Sequence, residues 1–336
     1  CPHILAEPMR TNTLTYSEAI SLSTGEINSG TGSDNTVTDN YGISPDGTQN
    51  ATRLVASSAT GTSEYSLRNF VLTTSAAESY TQSVYLKSNT GSNQSIIFYG
   101  RNTGTRTPIT VTSEWQRFEI TGESNTINYF IYLGLRPEDG TDSSCDVLVY
   151  GLQLEEGSYA TSYIPTSGST VTRNQDIFTR DGIGSLINST EGVLFAELAT
   201  LANDGTNGRI SLSDGSTSNR MLLYSAANSI KFFVEVSGES ALAYTATGVI
   251  TDFNKVAISF KENDMRFYLN GDLVYSNTSA ATFLANSLNT LQLADGNGSA
   301  NFYGKLKQLQ VYDTVLGGSP YDATLSDTRL KALTSL

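Results

Sequence analysis

Runs of about five to eight residues in which apolar and polar side chains alternate recur along the whole chain, each closed by Gly, Asn, Asp or Ser, with no helical period between them. In the first half the clearest are 51–55, 80–86, 94–99, 115–120, 129–135 and 147–154. In the second half they are 193–198, 209–212, 220–224, 230–236, 255–260, 265–269 and 304–312. Such a pattern predicts an all-β protein of antiparallel β-sandwich, jelly-roll type. The 336 residues suffice for two sandwiches, each burying a core of its own. The alternating run 147–154 gives way to small polar residues around Pro165, which cannot pair inside a sheet. The expected division is therefore an extended lead-in over 1–12, a first jelly roll over 13–165, a linker over 166–175 and a second sandwich over 176–336. Asp46-Gly47 after Ser44-Pro45 predicts a turn, and Asn270-Gly271 between apolar runs predicts a tight hairpin. Ser326 is the expected cap of a short terminal helix over 325–333.

Charged residues are 16% of the chain and sum to −13, a surface that suits neither nucleic acid nor polyanionic glycans without a local basic patch. No run of about 18 apolar residues is present, so no membrane insertion is expected. The chain opens at Cys1 without a basic and then apolar leader, so a processed or truncated piece of a longer protein is expected. Cys1 and Cys145 are too few for a disulfide framework or a cysteine zinc site; they could pair with each other, and two unpaired thiols are the expectation. With His3 as the lone histidine, a Ser-His-Asp hydrolase or a histidine metal cluster is not expected. No phosphate-binding loop, dinucleotide fingerprint or HExxH occurs.

The segment 151–173, GLQLEEGSYATSYIPTSGSTVTR, together with the opening CPHILAEPMRTN and the following LTYSE of 14–18, resembles the seam and start of modules in phage tail-fibre and other virion surface proteins. In the second half, KVAISF at 255–260, the hairpin MRFYLNGDLVY at 265–275, and GKLKQLQVY at 304–312 followed by Leu325-Ser-Asp327 resemble a concanavalin A-like, laminin-G-like sandwich. The intervening GGSPYDAT of 317–324 departs from that pattern. The first half is similar, more weakly, to galactose-binding-like, carbohydrate-binding-module jelly rolls. The resemblance implies a non-catalytic virion surface protein, a tail or head fibre, that recognises host surface polysaccharide and sits among other virion proteins as a homo-oligomer, a trimer in many such fibres. Two alternatives stand beside it: the carbohydrate-binding portion of a secreted bacterial polysaccharide-degrading enzyme or adhesin, and a purely structural virion spacer.

Concanavalin A-like glucanases carry paired acids along one strand. The comparable strand here, 192–198, offers Glu197 alone, and adjacent Glu155 and Glu156 point to opposite faces of a strand, so neither forms a catalytic pair. Sugar binding needs aromatic rings for the apolar face of the pyranose and polar side chains for its hydroxyls, and 18 Tyr against one Trp suit such a surface. The candidates are Tyr65, Arg68, Tyr99, Arg101 and Arg136 in the first module, and Arg209, Asn219, Arg220 and Tyr224 in the second. Trp115, Phe98, Phe118, Phe130 and Phe260 are expected in the cores. Both resembled families often hold a structural calcium on loop carboxylates. The oxygen donors available for one are Glu18, Asp46 and Asp146 in the first module and Asp204, Asp214 and Asp295 in the second.

Overall fold

The computed structural model describes residues 2–23, 25–30, 33–58, 64–75, 78–100, 106–124, 127–318 and 321–335, with the backbone alone for 25–30. Two compact units result. One is Met9–Asn174; the other joins Cys1–Pro8 to Gln175–Leu336.

The Met9–Asn174 unit is a sandwich of two five-stranded sheets. One sheet has the order Gln116–Ser124, Glu78–Ser88, Ser144–Glu156, Ala51–Ser57, Thr36–Gly42; the other has Gly25–Gly30, Glu64–Thr73, Asn128–Leu135, Gln94–Gly100, Ile109–Val111. Every pairing is antiparallel, and most neighbours are distant in sequence, as a jelly roll requires. Alternation sends Leu54, Val84, Leu86, Phe98, Ile131, Val147 and Val149 inward, all fully buried in one cluster. Phe98 sits in the core as expected, and Phe118 packs against it from the side.

The segment expected as a tether is fastened instead. The strand Ser144–Glu156 bulges at Gly151 (φ 63°), and Asn12, fully buried, ties the segments on either side of it. Its Nδ2 donates to the carbonyls of Leu152 (3.4 Å) and Ile164 (2.9 Å), while its Oδ1 accepts from the amides of Leu14 and Leu154, both at 3.2 Å. Val171–Arg173 then pairs with Arg10–Asn12. The lead-in is likewise paired: Ile4–Ala6 forms an edge strand against Gly304–Tyr312, so the Gln175–Leu336 unit is completed by the first residues of the chain.

That unit is a sandwich of two six-stranded sheets. One runs Ile4–Ala6, Gly304–Tyr312, Glu191–Thr200, Asn254–Lys261, Met265–Leu269, Asp272–Asn277. The other runs Thr179–Arg180, Thr290–Gln292, Gly208–Ser213, Arg220–Ala226, Ser229–Val236, Glu239–Thr247. Phe260, Phe232 and Phe267 fill the space between them, the last two stacked at 4.8 Å. Asn270 and Gly271 both take positive φ (49° and 91°), as a tight two-residue hairpin turn demands. The terminal helix Ala323–Thr334 is capped by Asp322, whose carboxylate accepts from the amides of Thr324 and Leu325. Ser326, the expected cap, lies inside the helix with its hydroxyl donating to the Val315 carbonyl. Leu330 seats the helix on the outer side of the first sheet, against Val193, Phe195, Ala257 and Tyr268. No helix of the described residues is long and apolar enough to cross a membrane.

Candidate functional site

Strand alternation gives each sandwich outer faces, and the sequence candidates fall on or beneath two of them. In the first unit, Phe70 and Leu72 point into the core, so Arg68, two and four residues away, must point inward as well. It does: Arg68 is 8% exposed, donates to the carbonyls of Ile20 and Ser21, and has its pKa lowered by burial. The expectation that Arg68 faces outward is thereby corrected.

Tyr65, Tyr99 and Arg136 do meet, on the outer side of that sheet. Tyr99 stacks on Tyr132 at 4.7 Å, Phe130 lies beside Tyr132, and Leu67 and Ile97 form the floor. Phe130 thus belongs to this outer cluster and not to the core. Arg136 lies 5.5 Å over the Tyr65 ring and is held by Glu138 and Asp139 (3.1 Å), with Arg106 reaching the same Asp139 at 3.6 Å. Burial pushes the Tyr99 hydroxyl pKa up, and the ring has little free surface left. Arg101 lies outside the described residues.

In the second unit, Arg209, Tyr224 and Lys231 are aligned partners on three adjacent strands. Both cations sit 5.6 Å from the centre of the half-buried Tyr224 ring. Arg220 occupies the next row but one and lies 5.4 Å over Phe233. Asp295, 3% exposed, accepts from Arg209 on one carboxylate oxygen and from Arg220 (2.5 Å) on the other. Arg220 also reaches Glu235 at 2.9 Å. Asn219 braces turns: its amide donates to Asp214 (2.9 Å) and its oxygen accepts from the Ser237 amide (2.9 Å).

The six carboxylates offered for calcium are each engaged by hydrogen-bond donors of the protein. Asp146 is engaged by Arg53 (2.8 and 2.6 Å) and Asn89, Asp295 by two arginines, and Asp214 by Ser216 and Asn219. Asp204 accepts from the Thr206 amide in its own turn. Asp46 closes the expected turn by accepting from Ser44 and Thr48, which hold its carboxyl well below the usual range. Glu18 and Asp46 come nearest to sharing a ligand, but the shared partner is the Asn50 amide (3.1 and 3.2 Å). Among the described residues no group of three or more His, Cys, Asp or Glu could hold a metal ion.

Glu197 is buried and paired with Lys307 at 3.0 Å. Its strand is longer than expected and adds Glu191, which pairs with Lys261 at 2.6 Å. Glu155 is buried beneath Thr161, whose amide and hydroxyl it accepts, while Glu156 is exposed, so the two do point apart. Cys145 is a buried free thiol whose pKa burial raises to about 12; Cys1 lies outside the described residues.

One face was missed from the sequence. Trp115, expected in the core, packs half-buried on the outer side of the Gln116–Ser124 sheet with Tyr85, Leu148, Tyr150 and Tyr163. Its parity with Arg117 and Glu119 was the available signal, because residues 116, 118 and 120 point the other way.

Two antiparallel sandwiches in one chain, with side chains gathered on their outer sheet faces, define the class of architecture. Within it, residues 198–319 match the family model Laminin_G_3, described as the concanavalin A-like lectin/glucanases superfamily. No curated protein sequence matches the chain. Among solved structures, the Ruminococcus gnavus IT-sialidase CBM40 is 17% identical, covering 47% of this chain and 99% of its own with TM-score 0.37. The N-terminal CBM22-1-CBM22-2 tandem domain from Paenibacillus barcinonensis Xyn10C is 10% identical, covering 94% and 100% with TM-score 0.32. Mouse laminin alpha1 chain domains LG4-5 are 11% identical, covering 72% and 85% with TM-score 0.29. At these scores the structural likenesses assign no ligand.

Proposed function

We propose that the protein is a non-catalytic glycan-recognition protein of a virion surface, part of a tail or head fibre, and that its concanavalin A-like unit takes sugar on the face carrying Tyr224. The observation that carries the glycan reading is the row Arg209–Tyr224–Lys231, a half-buried ring flanked by two cations on adjacent strands of the unit that matches the lectin family model. A ring can cover the C–H face of a pyranose while the flanking groups meet its hydroxyls. The virion placement rests on the tail-fibre resemblance of 1–18 and 151–173. A homo-oligomer follows from the same resemblance, since several weak sites on one fibre combine through effective concentration. The spacer reading has one observation in its favour: Arg220, Asp295 and Glu235 are spent on one another.

Native affinity electrophoresis through gels containing bacterial and algal polysaccharides tests the glycan reading. At least one polymer retards the protein, EDTA leaves the retardation unchanged, and Tyr224→Ala reduces it. Unaltered mobility in every gel overturns recognition and leaves the spacer. Light scattering tests the fibre placement: a stable trimer supports it, and a monomer points to the secreted-module alternative.

A further inference from the structure

The face around Trp115 has a chemistry distinct from the Tyr224 face. Leu148 and Tyr150 form a buried floor, and the half-buried rings of Tyr85 and Trp115 stand on it, Tyr85 and Tyr150 being 6.1 Å apart between centres. The indole N–H of Trp115 donates to the Ile43 carbonyl at 3.3 Å, which fixes the plane of the ring without help from a ligand. Tyr150 is fixed in turn by its hydroxyl, which donates to Asp46 at 2.9 Å. The rings are therefore ordered before anything binds, which lowers the entropic cost of stacking.

Charged groups border the rings, and the two arginines among them are matched locally. Arg117 lies 5.5 Å over Tyr85 and pairs with Glu119 at 3.2 Å; Arg53 takes Asp146 through two hydrogen bonds, with Asn89 on the same carboxylate. Lys87, half-buried on the same side of its strand as Tyr85, makes no hydrogen bond or ion pair to a described residue. Neighbouring donors and acceptors in balanced pairs suit a ligand whose adjacent oxygens both donate and accept, and they demand no net charge from it. The overall charge of −13 works against polyanions.

We propose that Trp115 and Tyr85 form a second sugar subsite, on the jelly-roll unit, specific for a neutral pyranose of a host glycan. It shares the glycan reading of the Tyr224 face but uses none of that face's residues.

Trp115 is the sole tryptophan of the chain, so intrinsic tryptophan emission reads this face alone. Titration of the full chain with neutral gluco-, galacto- and manno-oligosaccharides should give a saturable emission change and reduced acrylamide quenching. Trp115→Ala should weaken binding about tenfold or more, and Trp115→Phe less, as expected when a stacked ring is lost and then partly restored. If Trp115→Ala fails to fold, Trp115→Phe and quenching of the wild-type protein decide the matter. A polysaccharide that retards the protein in gels while its oligosaccharides leave Trp115 emission and quenching unchanged overturns this subsite and leaves the Tyr224 face standing. No response in either measurement overturns both.

Discussion

The Tyr224 face and the Trp115 face use the same residue types and make different things of them. On the first, one nearly buried carboxylate, Asp295, is shared by two arginines, and the aromatic ring lies beneath cations. On the second, carboxylates and guanidiniums pair one to one beside half-exposed rings, and Lys87 has no ion-pair partner among the described residues. The shared carboxylate holds one arrangement of the groups around Tyr224, whereas the one-to-one pairs of the Trp115 face are independent of one another. The comparison teaches that arginine and tyrosine on a sheet face do not by themselves locate a site. What their hydrogen bonds are already committed to decides which groups of a face are left to a ligand: on the Tyr224 face these are the ring and Lys231, not Arg220.

The largest expected effect that would break this contrast is that of Asp295→Ala. It leaves Arg209 without its counter-ion and Arg220 with Glu235 alone, and should cost about 3 kcal/mol. Urea denaturation followed by circular dichroism should show the loss, while the midpoint seen by Trp115, which belongs to the other unit, stays in place. Equal shifts in both signals would contradict the separation. Asp146→Ala should cost only about 1 kcal/mol, since both partners are partly exposed, and that shift should appear in Trp115 emission.

The Asp146 pair has a pH signature. Hydrogen bonding from Arg53 lowers the pKa of Asp146 in the folded protein. Its contribution is therefore complete above the unfolded carboxylate range, near about pH 4, and is lost as pH falls through the lower folded value. The stability gap between wild type and Asp146→Ala should be constant from pH 8 to about pH 5 and close on acidification; a gap that widens as pH falls would contradict the assignment. The smallest effect concerns Cys145, whose raised pKa and burial should leave it inert to thiol reagents at pH 8 in the native Cys1→Ser variant, with reaction only on unfolding.

Much of the fold was legible because alternation is local. Strands such as Arg220–Ala226 and Gly304–Tyr312 read directly from their apolar positions. Glu64–Thr73 and Glu239–Thr247 did not, since Ser, Arg and Asn interrupt the first and small residues blur the second. The pairing of Ile4–Ala6 with residues some three hundred positions away leaves no local trace, nor does the anchoring of 151–173 by Asn12. The site was harder because a sheet has two faces and composition does not label them. Arg68 was placed outward although it shares the parity of Phe70, and Trp115 inward although it shares that of Arg117. Tyr65, Tyr99, Arg209, Arg220 and Tyr224 lie on outer faces, but what already occupies their hydrogen bonds and rings depends on loops that return from far along the chain, such as the one carrying Asp295.

The most direct test of two separable sugar-binding faces is a set of binding isotherms on immobilised neutral polysaccharides for wild type, Tyr224→Ala, Trp115→Ala and the double variant, each verified as folded. The account predicts that wild type binds, each single variant is weakened, and the double variant is reduced to background. A double variant that binds as wild type does, or a wild type that binds nothing, would contradict it.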